Sequence, residues 1–580
     1  MSYDIEKARL GGEPLITSTL IMDYCALTAG VGACTATETG DAKCYNTRAT
    51  CNDTTNYDKT TKEYVFCQSR SSLPKGVNMF PVIMGNIQKA ATSTTAGSGL
   101  GKRAVARIKL ADFPHSDRNI DPYVDERTYN AVEQGTFWGK FLTRNPYYEG
   151  RTIKIGYGYI SPDGFSTSDF EYQEYDIIDI DGVKDKSVTI TAKDVLVRTY
   201  DRKAQYPVLS EGSLLSDLAA GVTSATLTPS GIGDSDYPAS GTLSIGKEAM
   251  TFTRSGDTLT LVRKQWGTED KDHKAGDTVQ ICEVFNENIV VALDRILTTG
   301  AGLPSSYIPT TDWEAERDLW LSSATVYGIL MKPESIEKVI GEWSEVFMFD
   351  IWWNAVDQQV DIKALSPEPS GVTINTLTEG YDIIQDSLKI ERKSKDRFTE
   401  IRVGYNKIDY SEKNDIEQFA TWQISADASR AGSDRYNGNS VKTILSRWFI
   451  AQGNAAQLSG RQLARFSDTP ETVTFKLDQK DHGKLTMAGR VELDSWQFQD
   501  FSGANEKRKF QVLEINEGKD AGENFTVKAL TSSFVGRYFF IAPDSTPDYS
   551  SATEAQKDAY GFISLSTGLF ADGSEGHKII

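Results

Sequence analysis

The chain has 580 residues, 39% of them hydrophobic; it is too long for a single apolar core and points to about three to five modules. A formal charge of −19 excludes a general nucleic-acid surface, and no apolar run is long enough for a membrane-spanning helix. The four histidines (His115, His273, His482 and His577) are scattered, and phosphate-loop, dinucleotide, HExxH and GxSxG motifs are absent. The many carboxylates therefore read as solvated surface and the chain as structural.

The start, MSYDIEKARLGG, lacks the apolar stretch of a signal peptide. PLITSTLIMDYC then reads as a short strand or linker feeding a segment with cysteines at Cys25, Cys34, Cys44 and Cys51, separated by eight, nine and six residues. Cys67 follows in the strand-like EYVFCQ, and Cys282 stands alone far downstream. Between Cys25 and Cys51 the residues are mainly Gly, Ala, Thr, Asp and Asn. Such a segment cannot build a core and needs a cross-link. Disulfides suit an oxidising compartment. Zinc sites usually use cysteines in pairs two to four residues apart, and no such pair occurs. Four separate loop ligands suit an iron–sulfur cluster. Composition and spacing leave all three open.

Further along, Val82, Met84 and Ile87 suggest a strand, TSTTAGSGLGKR a turn, and VARIKLADF a strand with Val105, Ile108 and Leu110 in imperfect alternation. His115 lies between Asp112 and Asp117, but three ligands at fixed geometry are not evident. A polar turn with an aromatic plug of Tyr123, Tyr129, Phe137, Trp138, Tyr147 and Tyr148 is the simpler reading. FEYQEYDIIDIDG and SVTITAKDVL complete an antiparallel β domain over about 75–205. Residues 206–284 form a small β meander of TLSIG, EAMTFTRS and TLTLVRK, with Trp266 and His273 in its local core and Cys282 a buried thiol. From 285 the period turns helical: Ile289, Leu293, Ile296 and Leu297 share a face. A second helix, opening at Pro333, buries Ile336, Val339, Ile340, Trp343 and Phe347. The hairpin FDIWWNAVDQQVDIKAL sets Trp352 and Trp353 on opposite faces, leaving one to meet a neighbouring subunit. Strands return to about 535, interrupted by a helix over 441–467 with Ile444, Trp448, Ala451, Ala455, Leu458 and Phe466 near one face. Beyond Phe540 the composition is that of a solvated tail, or of an arm that orders on a neighbour.

The cysteine spacing, the runs KCYNTRATC and NYDKTTKEYVFC, and the stretch from Asp112 to Ile160 together resemble the tail-tip hub proteins of lambda-like siphophages and gene transfer agents. The resemblance carries specific motifs over about 20–205 and a looser pattern over 285–540. It implies a mainly β chain with α+β parts. An N-terminal segment 1–74 holds the four-cysteine loop, and two tail-tube-like β-barrel or sandwich hub domains span 75–205 and 369–540. The small β insertion 206–284, an α+β connecting domain 285–368 and a tail 541–580 complete it.

The same resemblance implies a structural [4Fe–4S] cluster on Cys25, Cys34, Cys44 and Cys51, with Cys67 as a substitute ligand and zinc as the alternative metal. It implies no catalytic residue. It also implies a homotrimer at the virion tail tip, assembled in the bacterial host cytoplasm. Its partners would be the distal tail protein ring, the tape measure protein and a central tail-tip or receptor-binding protein. The acidic balance adds the expectation of a carboxylate-lined channel through which DNA slides without specific binding. Two readings from other classes stand beside this one. A redox or hydrolytic enzyme built on the cysteine cluster would need a second site that no motif supplies. A zinc-stapled adhesion protein would differ in its metal.

Overall fold

The computed structural model describes residues 13–531 apart from 71, 86, 91–103, 161–164, 201–203, 367–372, 428–437, 478–484 and 517–524, together with scattered positions between 540 and 561. The turn expected at 92–103, His482, His577 and most of the tail 541–580 lie outside the described residues.

The protein is mainly β, as its alternating patterns require. Eight strands build the first sheet: β1 (Glu13–Cys25), β2 (Lys59–Gln68), β3 (Phe80–Ile83), β4 (Gln88–Ala90), β5 (Val105–Ala111), β6 (Thr152–Ile160), β7 (Glu171–Ile180) and β8 (Ser187–Lys193). Their order is β3-β2-β1-β6-β7-β8-β5-β4, and the sheet closes into a barrel where Ile83 meets Leu110. Period-two alternation sends Ala106, Ile108 and Leu110 of β5 inward and Arg107 and Lys109 outward. Helix α1 (Phe137–Arg144) plugs the interior with Phe137, Trp138 and Phe141. The boundary expected at 74/75 falls inside this barrel: β1 pairs with β2 from Thr17–Cys67 to Cys25–Lys59 and with β6 on its other side. Closure rests on pairings between strands far apart in sequence, which local patterning does not carry. The cysteine loop, 26–58, is thus the β1–β2 connection at the barrel rim.

After β9 (Gln205–Tyr206) the chain enters the insertion: β10 (Ser213–Leu214), β11 (Ser224–Thr228), β12 (Ser240–Ile245), β13 (Glu248–Ser255), β14 (Thr258–Gln265) and the first half of β15 (Val279–Asn288). The expected meander β12–β13–β14 is present. It also closes into a small barrel, because Gly212–Leu214 exchanges backbone bonds with Asp277–Val279. Leu243, Ile245, Met250, Phe252, Leu259 and Leu261 fill it. His273 is buried in this domain, as expected. Trp266 instead faces outward onto Tyr327 and Tyr410, with ring centroids 5.3 and 5.2 Å away.

The second half of β15 pairs with β16 (Thr325–Leu330) and carries the chain into the α+β centre. There α2 (Ile289–Arg295), α3 (Thr310–Glu316), α4 (Ile336–Phe347) and the hairpin β18 (Phe349–Asn354)–β19 (Gln359–Ala364) share one core; β17 (Glu334–Ser335) pairs back to β9. The predicted stripes are buried, from Ile289 and Leu293 to Val339 and Trp343.

Strands β20 (Asn375–Thr378), β21 (Lys389–Arg392), β25 (Glu471–Leu477), β26 (Arg490–Asp494), β27 (Arg508–Asn516) and β28 (Phe525–Thr531) form a six-stranded sheet over a core that includes Leu377, Phe475, Leu493, Phe510 and Val527. Between them, β22 (Glu400–Lys407), β23 (Phe419–Ala426) and β24 (Val441–Leu445) make a separate three-stranded sheet. The helix expected over 441–467 begins only at Gln452, as α5 (Gln452–Phe466). Residues 441–445 are instead β24, parallel to β22, where the ladder outweighs the helical period. Ile444, Trp448, Ala455 and Leu458 do share one core, but it is that of the α+β centre rather than of the second β domain.

Candidate metal–sulfur site

Strand β1 ends in Cys25, whose buried side chain faces the rim, and the chain then leaves the barrel for the loop 26–58 before β2 resumes at Lys59. Cys25, Cys34, Cys44 and Cys51 line one small cavity within that loop, together with Ala29, Asn46 and Asp53. Asn46 organises it. Its backbone carbonyl accepts from Cys25 N–H at 2.8 Å, and its side-chain amide donates to the Cys25 and Leu27 carbonyls at 3.0 and 2.9 Å. The Cys44 thiol donates to Asn46 Oδ1 at 3.6 Å. Asn46 sits at φ +53, a left-handed conformation that Asn tolerates better than bulkier residues. On the far side, Asp53 Oδ2 accepts from both the amide and the hydroxyl of Thr35, at 2.7 and 2.9 Å, which holds the Cys34 segment.

The second brace comes from the loop after β5. Buried Arg127 donates to the carbonyls of Gly40, Asp41, Lys43 and Cys44 at 2.9–3.1 Å, while Asp121 holds its guanidinium at 2.8 Å. Tyr123 accepts the Ala29 amide at 2.7 Å through its hydroxyl, and Tyr129 meets Tyr45 at 2.6 Å. The loop after β5 and the cysteine loop are thus stitched together at one rim. Spacing arguments do not find Arg127, Asp121 or Asn46, because none stands in a metal-ligand pattern.

All six cysteines are free thiols, so no disulfide joins the loop among the described residues. No group of three or more His, Cys, Asp or Glu side chains is already arranged to hold a metal ion among the described residues. Four thiols around one cavity leave zinc and a polynuclear group both open. Burial pushes the Cys44 thiol up, and Cys51, Cys34 and Cys25 push it further. The Cys44 sulfur therefore lies within electrostatic reach of the other three. Loading must displace that proton, so the site fills more readily as pH rises. The Tyr57 hydroxyl is buried without a hydrogen-bond partner, and its pKa, pushed up to about 12 chiefly by burial, also feels Cys25 and Cys51.

Cys67, expected as a substitute ligand, is out of reach. It pairs with Thr17, eight residues along β2 from the Cys25–Lys59 pair, about 26 Å at the usual strand rise. It is fully buried beside Leu15 and Phe170. Cys282 is buried in the insertion, as expected.

His115 holds no metal-like cluster. Its Nδ1 accepts the Asp117 amide at 2.9 Å and its ring packs edge-on against Phe80, Phe113 and Phe137. Asp117 is committed to Lys140 and Arg144, each at 2.7 Å. Burial opposes its charge, but the neighbouring His115, Arg144 and Lys140 together hold its carboxyl well below the usual range.

No protein-family model matches the chain, and no curated protein matches it. Among solved structures it is similar to a 43 kDa tail protein of prophage MuSo2 from Shewanella oneidensis, at 9% identity and TM-score 0.36, over 77% of this chain and 98% of that one. It is also similar to prophage tail protein gp18 of Listeria monocytogenes, at 9% identity and TM-score 0.25, over 66% and 86%. A chain of a native gene transfer agent virion follows at 11% identity and TM-score 0.27, over 63% and 79%. At these scores the likeness stays with the kind of fold and carries nothing about function.

Proposed function

We propose that the protein is a structural hub of the tip of a long, non-contractile phage tail, in which Cys25, Cys34, Cys44 and Cys51 hold a [4Fe–4S] cluster as a cross-link. The observation behind it is that four free thiols line one cavity in a loop with almost no apolar core, at the rim of a closed β barrel. When bound, the cluster would supply four strong bonds that tie the loop where burial cannot. The chain's own residues preorder the site: Asn46 sets the turn, Asp53 holds the Cys34 side and Arg127 anchors the Cys44 side. The role is structural, without catalytic residues. The proposal extends to a homotrimer that joins the distal tail protein ring to a central tail-tip or receptor-binding protein, contacts the tape measure protein and lets DNA pass.

Iron, sulfide and zinc content of anaerobically purified protein, with the visible spectrum and the mass in solution, tests this. About four irons and four sulfides per chain, with a brown absorbance that bleaches on reduction, is the expected result. One zinc would keep the cross-link and replace the cofactor. Neither metal would overturn the site, and a strictly monomeric mass at high concentration would overturn the trimer.

A further inference from the structure

Both tryptophans of the β18–β19 hairpin are buried within the chain, so neither Trp352 nor Trp353 is left to meet a neighbouring subunit. An open surface lies instead on the three-stranded sheet, whose order is β23-β22-β24. Period-two alternation divides its side chains between two faces. Ile401, Val403 and Tyr405 of β22 and Ile444 of β24 point into the central core, and Ser425 of β23 meets Ser459 of helix α5 at 2.8 Å. The opposite face is open to solvent and largely apolar: Ile424 of β23 is 55% exposed and Val441 of β24 is 42% exposed. Between them, Trp422 and Leu445 close over Gly404 of β22, where a Cβ would lie only 3.0–3.2 Å from both. The ionic side chains that the strands place on this face are Glu400 and Arg402, paired with each other at 2.6 Å.

The edge of the sheet is equally bare. β23 reads FATWQISA, eight residues without a charge or a proline. On the side away from β22 it pairs with no strand among the described residues. Proteins usually blunt such an edge with a short strand, a charge or a proline. Here β20 has four residues and β21 reads KIER, but β23 has no such device. Its open backbone donors and acceptors are met most fully by another β-strand.

Charge selects the occupant. The chain carries −19, so two copies repel over most of their surface, and a basic partner would be drawn to carboxylates elsewhere. The face of β22–β24 is neutral overall, and two copies can approach there without that repulsion. We propose that this face and the open edge of β23 form a contact between copies of this chain, with an edge strand of the second copy adding to β23. The proposal names the contact within the homotrimer proposed above and rests on that reading for the number of copies.

The test is sedimentation of the full chain over a range of concentrations, alongside Ile424→Lys, Ala426→Lys and, on the insertion, Leu215→Lys as a control. All three replaced side chains are exposed, so the variants should melt as the wild type does when dilute. The wild type is expected to self-associate. Either lysine on β23 should weaken association about tenfold or more, because it buries an unpaired charge in the contact, whereas Leu215→Lys should leave association unchanged. A wild type that stays monomeric at every concentration overturns the proposal, as does association that Leu215→Lys weakens equally. A trimer that survives both β23 lysines overturns this contact and leaves the trimer standing. A dimer that they disrupt keeps the contact and overturns the trimer.

Discussion

The small insertion barrel and the cysteine loop are both excursions from larger domains, and they are held together in opposite ways. The insertion closes on itself around Leu243, Met250, Phe252 and Leu261. It adds one buried ionic network in which Glu248 accepts from Arg263 at 2.7–2.8 Å and meets His273 at 2.9 Å. The cysteine loop buries almost nothing apolar beyond Cys25 and Ala29 and relies on hydrogen bonds to backbone carbonyls. An excursion with a core keeps its shape unaided. One without a core depends on a brace from outside, and here on the cross-link proposed for it.

The largest effect should come from replacing Cys25, Cys34, Cys44 and Cys51 together by Ser. Bound metal should fall to zero, and limited proteolysis should cut between 26 and 58 while leaving the insertion intact. Equal protection of both regions would remove the distinction.

Arg127→Ala should come next in size. It strips four carbonyls of their donor and leaves Asp121 buried without its cation, a loss of about 3–5 kcal/mol by analogy with broken buried pairs. Arg127→Lys should not restore it in denaturant titrations, because an ammonium cannot span the same fork.

pH separates the two regions further. Burial opposes the charge of Glu248, but Arg263 and His273 hold its pKa down to about 2, from an ordinary 4.5. Its contribution is therefore full above about pH 4.5 and is lost as pH falls through about 2. Melting of the insertion should show that acid loss, and Glu248→Gln should flatten it. In the cysteine loop the raised Cys44 thiol means that metal loading, followed by absorbance, should already decline at mildly acidic pH, well before the insertion weakens.

A smaller effect tests how the insertion docks. Gly267 has φ +77, and a Cβ there would run into the Ile408 carbonyl oxygen. Gly267→Ala should cost about 2 kcal/mol in backbone strain and displaced contact, read as a lower melting temperature with the insertion's own fold retained. Least of all, Cys67→Ser or Cys282→Ser should cost about 1 kcal/mol as a buried hydroxyl replaces a thiol, with metal content unchanged. Loss of metal in the Cys67 variant would return that residue to the ligand set.

Local patterning was enough for the mainly β class, the meander of the insertion, the buried stripes of α2 and α4 and the four cysteines of interest, because alternation, helical period and residue type are properties of neighbours in the chain. It could not place β1 and β2 inside the first barrel, since register and closure depend on partners far away in sequence. Nor could it see that 441–445 joins β22, where a ladder overrides periodicity, or that Cys67 lies at the far end of a strand from its apparent companions. The brace of the site was illegible for the same reason. Arg127 and Asn46 are ordinary polar residues until the fold carries the loop after β5 against the loop after β1, and only there do their hydrogen bonds acquire a purpose.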